Sequence, residues 1–212
     1  MQKQAMEDCR AVYLTAEDLR IAASILYNAY HDDPFFRETL FTGDQAQYEQ
    51  KLRGAIREEL NELWQQEQAL IGVFAEKRMV GVACIVTQQV PLGEARYWHW
   101  RLKMLLSAGW HSTQALIKKE HQIIENLPSS QCGILQFIAI ANVEQRKGYG
   151  GQLITAVQSW CDEQPHLDGV GVFVNLPAHI GLFRRHHFEI VESLKIGNVD
   201  GELLFYRGIV NE

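Results

Sequence analysis

Proline is scarce in this chain, five in 212 residues, and no stretch is dominated by a few residue types. That excludes a proline-rich linker and a long disordered segment. The four cysteines, Cys9, Cys84, Cys132 and Cys161, form no CxxC pair and no finger spacing, which excludes a disulfide framework and a zinc finger read from sequence. Cys84 and Cys161 stand inside apolar patterns where free thiols commonly bury, so a reducing, cytoplasmic compartment is expected. A basic stripe is also missing. Lys and Arg number 20 against 26 Asp and Glu, they are scattered, and the net charge is −6, so no nucleic-acid partner is expected. No apolar run approaches the ~18 residues of a membrane span, and the opening MQKQAMEDCR has no signal-peptide core. The expectation is a soluble, unexported protein with no membrane partner.

What is present is an ordinary globular composition, 47% hydrophobic and 22% charged, with no internal repeat and no linker. A chain of this length buries roughly 70 to 75% of its extended surface, so one domain over residues 1–212 is the simplest partition. A strand is expected around Arg10 to Leu14, followed by a helix that starts near the capping-box-like pair Thr15 and Asp18 and runs to about Tyr30. Its apolar positions Leu19, Ile21, Ala22, Ile25, Leu26 and Ala29 recur at helical spacing, and Pro34 in HDDPFF ends it. A second helix is expected from Asp44 to Gln66. Gln68 to Ala75 and Met79 to Thr87 read as a β-hairpin across EKR. A helical insertion around residues 91–128 follows, rich in aromatics from Tyr97 to Trp110, with core or homodimer packing or an acceptor pocket as its possible uses.

The remaining residues alternate: strand Ile134 to Ile140, helix Gly151 to Glu163, strand Val170 to Val174, helix Ala178 to His186, then strands Phe188 to Ile196 and Glu202 to Ile209. Alternation of this kind predicts an α/β mixed sheet with helices on its faces. Between the first strand and helix lies ANVEQRKGYGG, Ala141 to Gly151. The start of a helix offers backbone N–H groups without internal partners and a partial positive charge, so an anion such as a phosphate docks there. Gly148 and Gly150 let backbone approach it closely, and a side chain at Gly148 is expected to occupy phosphate space. Arg146 and Lys147 add positive charge. The P-loop GxxxxGK[ST] is absent, and a GxGxxG fingerprint fails because Leu153 falls in its third slot.

The pattern [RQ]xxGx[GA] does fit, at Gln145, Gly148 and Gly150, and here the chain resembles the GNAT superfamily of N-acetyltransferases. FIAIANVEQRKGYGGQLI is similar to the family's central strand, pyrophosphate loop and helix, and VNLPAHIGLFRRHHFE to its N-x-x-x-x-x-x-L-Y-x-x-x-G-F segment. The resemblance implies a mostly antiparallel mixed sheet with splayed central strands. It implies acetyl-CoA as co-substrate and an amine of a small molecule or peptide as acceptor. Cofactor contacts are implied for the strand Ile138, Ala139 and Ile140, with Ile138 and Ile140 offering free backbone to the pantetheine arm. They are implied equally for the loop Gln145, Arg146, Lys147, Gly148, Tyr149, Gly150 and Gly151, and for Asn175 at the end of the next strand.

An ammonium of pKa about 10.4 must lose its proton to attack, about 4.6 kcal/mol uphill at pH 7. No side chain is assigned that task. Glu144 reads as a solvated loop residue, and Asp32 and Asp33 as helix-ending acids or binders of a cationic acceptor. Phe183 stands where the family often has its proton-donating tyrosine, and His187 where it has the glycine of the GF pair. HExxH is absent, no metal is expected, and His179, His186 and His187 read as surface or packing residues. The alternative is a non-catalytic acyl-CoA-binding or sensing protein.

Overall fold

Two periodicities organise the chain: β-branched runs that ladder into a sheet, and 3.6-residue stripes that lay helices on it. The computed structural model describes residues 9–87 and 110–209. Its strands are β1 (Cys9–Tyr13), β2 (Ala69–Ala75), β3 (Arg78–Thr87), β4 (Cys132–Ile140), β5 (Gly169–Val174), β6 (Glu189–Ile196) and β7 (Val199–Arg207). They form one sheet in the order β1-β2-β3-β4-β5-β7-β6. Only β4 and β5 pair in parallel; every other neighbouring pair is antiparallel. The expected mixed, mostly antiparallel sheet is the one the chain forms.

The helices are α1 (Leu19–Tyr30), α2 (Pro34–Leu40), α3 (Gln45–Gln65), α4 (Trp110–Glu125), α5 (Tyr149–Asp162) and α6 (Pro177–Arg185). From Val82 to Ile85 successive residues of β3 serve opposite faces, as a pleat requires. Val82 and Cys84 join Leu26 of α1 and Leu52, Ile56 and Leu60 of α3, whereas Ala83 and Ile85 join Leu153, Ile154 and Val157 of α5. Each such fully buried side chain contributes about 1.5 to 3 kcal/mol. A third cluster joins Phe35 of α2 and Ile123 of α4 to Ile134 of β4 and Leu203 of β7.

α2 corrects the sequence reading, which stopped at HDDPFF and resumed at Asp44. Pro34 does end α1, but it also sits at the first position of a new helix, where its missing N–H is no loss. Asp33 caps that helix, its Oδ1 accepting from the amides of Phe35 at 3.0 Å and Phe36 at 3.1 Å. The last strand likewise begins at Val199 rather than Glu202, because Gly197, at φ +65°, allows a tight turn straight after β6. Of the expected insertion, α4 lies within the described residues; the aromatic stretch 97–109 lies outside them.

β4 ladders with β5 only through Cys132–Gly169, Gly133–Val170 and Ile134–Gly171. On its other side the register jumps from Ile85–Leu135 to Cys84–Phe137, leaving Gln136 as an extra residue. An extra residue of this kind bends a strand. Past the bulge β4 keeps β3 and parts from β5, so the splay has a local cause.

Candidate functional site

The end of β4 and the start of α5 are joined by a 3-10 turn, Asn142–Glu144, and a short loop. The backbone passes twice through the left-handed region, at Arg146 (φ +62°) and at Gly148 (φ +92°), which is the N-cap of α5. That conformation is open to glycine and strained for other residues. A Cβ built on Gly148 would meet nothing within 4 Å, so the space in front of the helix is open.

The loop's donors divide cleanly. Gly151 and Gln152 donate back to the Gly148 carbonyl at 3.1 and 3.3 Å. The amides of Arg146, Lys147, Gly148, Tyr149 and Gly150 have no protein acceptor among the described residues. Five unpaired amides at a helix start, beside the positive end of its dipole, are the kind of arrangement at which an anion can dock. Gly151 therefore does not belong with the free donors expected of it. Its small size serves packing instead, since a Cβ there would lie 3.0 Å from His186 Nε2. The Tyr149 ring is buried in the α5 core, 6% exposed, and only its amide faces the loop.

Two side chains build the loop from beneath. Glu144, read from sequence as solvated, is 5% exposed and paired with both Lys147, at 2.8 Å, and Arg78 at the start of β3. The Lys147 ammonium, with the Arg78 guanidinium, holds its carboxyl below the usual carboxylate range against the opposing effect of burial. Lys147 is thus bound to the loop's own foundation and gives the amides no free charge; Arg146 is exposed, with no ion-pair partner among the described residues. Gln145 folds back, its Nε2 donating to the Ile140 carbonyl at 3.3 Å and to Asn142 Oδ1 at 3.2 Å. Its motif position organises the turn.

The strand residues separate by parity. Ala141 donates to the Val80 carbonyl at 2.8 Å, so in an antiparallel ladder Ala139, paired with Val82, also turns its polar groups to β3. Ala139 therefore turns no polar group to the open edge, so the cofactor contact implied for it has no backbone group to rest on. Ile138 and Ile140 do face the parting, but they are not bare. The Tyr30 hydroxyl donates to the Ile138 carbonyl and accepts from its amide, both at 3.2 Å. Burial drives the Tyr30 hydroxyl's pKa far up, so it keeps its proton. Asn175 is likewise engaged, its Nδ2 donating to Asp33 Oδ2 at 2.8 Å. Asp33, 7% exposed, uses Oδ1 for the α2 cap and Oδ2 for Asn175, so it holds structure at this corner. Tyr30 and Glu144 are the residues sequence reasoning missed. Nothing in sequence links Tyr30 to a strand 108 positions away; for Glu144, the flanking Lys147 was the available signal.

Of the residues weighed for proton transfer, Phe183 and His186 lie in packing roles. Phe183 is 4% exposed and edge-to-face on Phe188 at 5.3 Å. His186 packs against Gly151, and burial, with Arg185 and His187 beside it, lowers its pKa, favouring the neutral ring. His179 and His187 are exposed. His187 adopts φ +61°, with Phe188 donating to the Phe183 carbonyl at 3.2 Å, so it fills the left-handed helix-ending position that favours glycine. No group of three metal-ligating side chains gathers among the described residues, and no helix among them is long and apolar enough to cross a membrane. A cavity of about 480 Å³ opens between α1 and α3, lined in part by Arg20, Tyr27, Arg53 and Arg57, with no residue of the loop or of β4 in its wall. Arg53 is already held by Tyr27 and Glu49, and Arg57 by Glu58.

No protein-family model matches this sequence, and no curated protein matches it. Solved structures do. A protein described as histone acetyltransferase HPA2 and related acetyltransferase, from Corynebacterium glutamicum, superposes with a TM-score of 0.71 at 14% identity, over 95% of this chain and 96% of that one. An agmatine N-acetyltransferase variant matches at 0.62 and 12% identity, over 94% and 99%. An acetyltransferase of the GNAT family from Streptococcus pneumoniae matches at 0.52 and 15% identity, over 94% and 99%. With its seven-stranded mixed sheet, its parting central strands and its helices on both faces, the chain has the fold of the GNAT acetyltransferases.

Proposed function

We propose that this chain is an acyl-CoA-dependent N-acyltransferase that moves an acetyl group from acetyl-CoA to an amine of a small molecule or peptide. The observation that carries the reading is the row of five unpaired amides, Arg146 to Gly150, opening onto free space at the mouth of α5. Three or four charge-assisted hydrogen bonds of about 1.5 to 3 kcal/mol each, less the cost of ordering, bring micromolar binding of a diphosphate, about −8 kcal/mol, within reach. The bend at Gln136 supports the second half, because it leaves the outward groups of Ile138 and Ile140 without a strand partner, as an extended amide-bearing arm requires. Acetyl-CoA supplies the activated acyl group; Arg146 to Gly150 hold its pyrophosphate, and β4 aligns its arm.

The acceptor must arrive as the free amine or lose its proton through water. Two buried carboxylates, Asp33 and Glu144, are engaged in a helix cap and in ion pairs. The likeness to an agmatine N-acetyltransferase is one reason to begin an acceptor panel with small polyamines. The test has two parts. Calorimetric titration with acetyl-CoA is expected to show micromolar binding, and absence of binding at millimolar ligand overturns the reading. Thiol release with the amine panel is expected to show turnover. Tight binding without turnover on any acceptor favours the alternative, a non-catalytic acyl-CoA-binding or sensing protein, for which the buried Phe183 and the missing base speak.

A further inference from the structure

Tyr30 ends α1 with its ring wedged edge-to-face against Phe36, centroids 5.7 Å apart, and Phe137, 5.5 Å apart. Its hydroxyl is thereby fixed on Ile138, donating to the carbonyl and accepting from the amide at 3.2 Å each. These are the groups that β4 turns towards β5, and the β4–β5 ladder has already stopped at Ile134–Gly171. One hydroxyl carries both a donor and an acceptor, so it satisfies at one atom what a neighbouring strand would satisfy with two groups. Three residues on, Asp33 accepts from Asn175, just past β5. The corner between α1 and α2 is thus hydrogen-bonded to both sides of the parting.

We propose that the Tyr30 hydroxyl is a place-holder for the acyl donor's extended arm: it satisfies the outward amide and carbonyl of Ile138 in the ligand-free protein and yields them when the arm's amides pair there. This inference rests on the acyl-CoA reading above. A half-buried amide and carbonyl left without partners are unfavourable, so a strand edge that has lost its neighbouring strand gains from a partner. The same partner then competes with the ligand, and apparent affinity reports the difference between the two sets of bonds. Tyr30 is a positioning residue in this scheme; it keeps the strand edge formed and sets how tightly the arm is held.

Tyr30→Phe keeps the aromatic packing and removes only the competitor. Acetyl-CoA is titrated into wild type and variant by calorimetry, with hydrogen exchange of the Ile138 amide followed in both. The variant is expected to bind acetyl-CoA about threefold to tenfold tighter, the equivalent of one net hydrogen bond. Its Ile138 amide is expected to exchange faster than in wild type without ligand and to regain protection with it. Unchanged or weaker affinity in the variant, with wild type still binding, overturns the place-holder and leaves the acyl-CoA reading intact. No binding to either protein overturns both. A tyrosine with only a structural part lowers stability without tightening binding, which also counts against the proposal. Should the variant not fold, the wild type decides: acetyl-CoA must change the ring-ζ carbon-13 shift of Tyr30, and an unchanged shift in ligand-saturated protein overturns the inference.

Discussion

The two ends of β4 are nine residues of one strand with opposite fates. At Cys132 to Ile134 the strand has partners on both edges and buried side chains, and Ile134 packs among Phe35, Ile123 and Leu203. At Ile138 to Ile140 it has a strand on one edge only, and side chains attend the other: Tyr30 on Ile138 and Gln145 on Ile140. The first end is finished by the fold. The second is provisionally satisfied, and the loop of unpaired amides begins where it stops. The open edge arises by withholding a strand, next to one extra residue at Gln136.

That contrast can be broken at either end. Ile134→Ala, at the closed end, should lower stability by about 2 to 5 kcal/mol in denaturant unfolding. Acetyl-CoA affinity should stay within about twofold, as for distant, uncoupled sites; a collapse in affinity would mean the two ends are not independent. Gly148→Val acts at the open end. Forcing a β-branched residue to φ +92° should cost about 1 to 2 kcal/mol of stability. The displaced amides should weaken acetyl-CoA binding about tenfold or more, the equivalent of losing one charge-assisted bond, so calorimetry set beside thermal melts separates phosphate binding from backbone strain.

The loop's root should show itself against pH. The Glu144 carboxyl is held below its ordinary value, so its contribution is present above the unfolded-state value of about 4.5 and is lost as pH falls through the lower folded value. Glu144→Gln should remove that acid-side loss from the pH profile of thermal stability; an unchanged profile would mean the ion pairs contribute nothing. The smallest effect is expected at His187→Gly, which relieves a left-handed residue and should stabilise the protein by about 0.5 to 1 kcal/mol without changing acetyl-CoA affinity.

Much of this was legible in sequence because it is local. The apolar run into ANVEQRKGYGG announces a strand, a turn and a helix, and Gly148 is where the backbone turns left-handed. The hairpin β2–β3 and the stripe of α5 follow from periodicity in the same way. What was not legible is what distant segments do to those groups. The resemblance singled out Ile138 and Ile140 as the outward residues, but nothing local shows that Tyr30, 108 positions away, takes up the groups of Ile138. Asn175, a cofactor contact by resemblance, is held by Asp33, 142 positions away, which no local pattern announces. Pro34 was read as a stop signal when it is also a start, because one residue obeys both rules.

The most direct check is an amide nitrogen–proton correlation spectrum recorded while acetyl-CoA is added. The signals of Arg146, Lys147, Gly148, Tyr149 and Gly150 should move furthest and saturate together at micromolar ligand. If those five stay in place while acetyl-CoA binds elsewhere, or if no signal moves at millimolar ligand, the mouth of α5 does not hold a diphosphate.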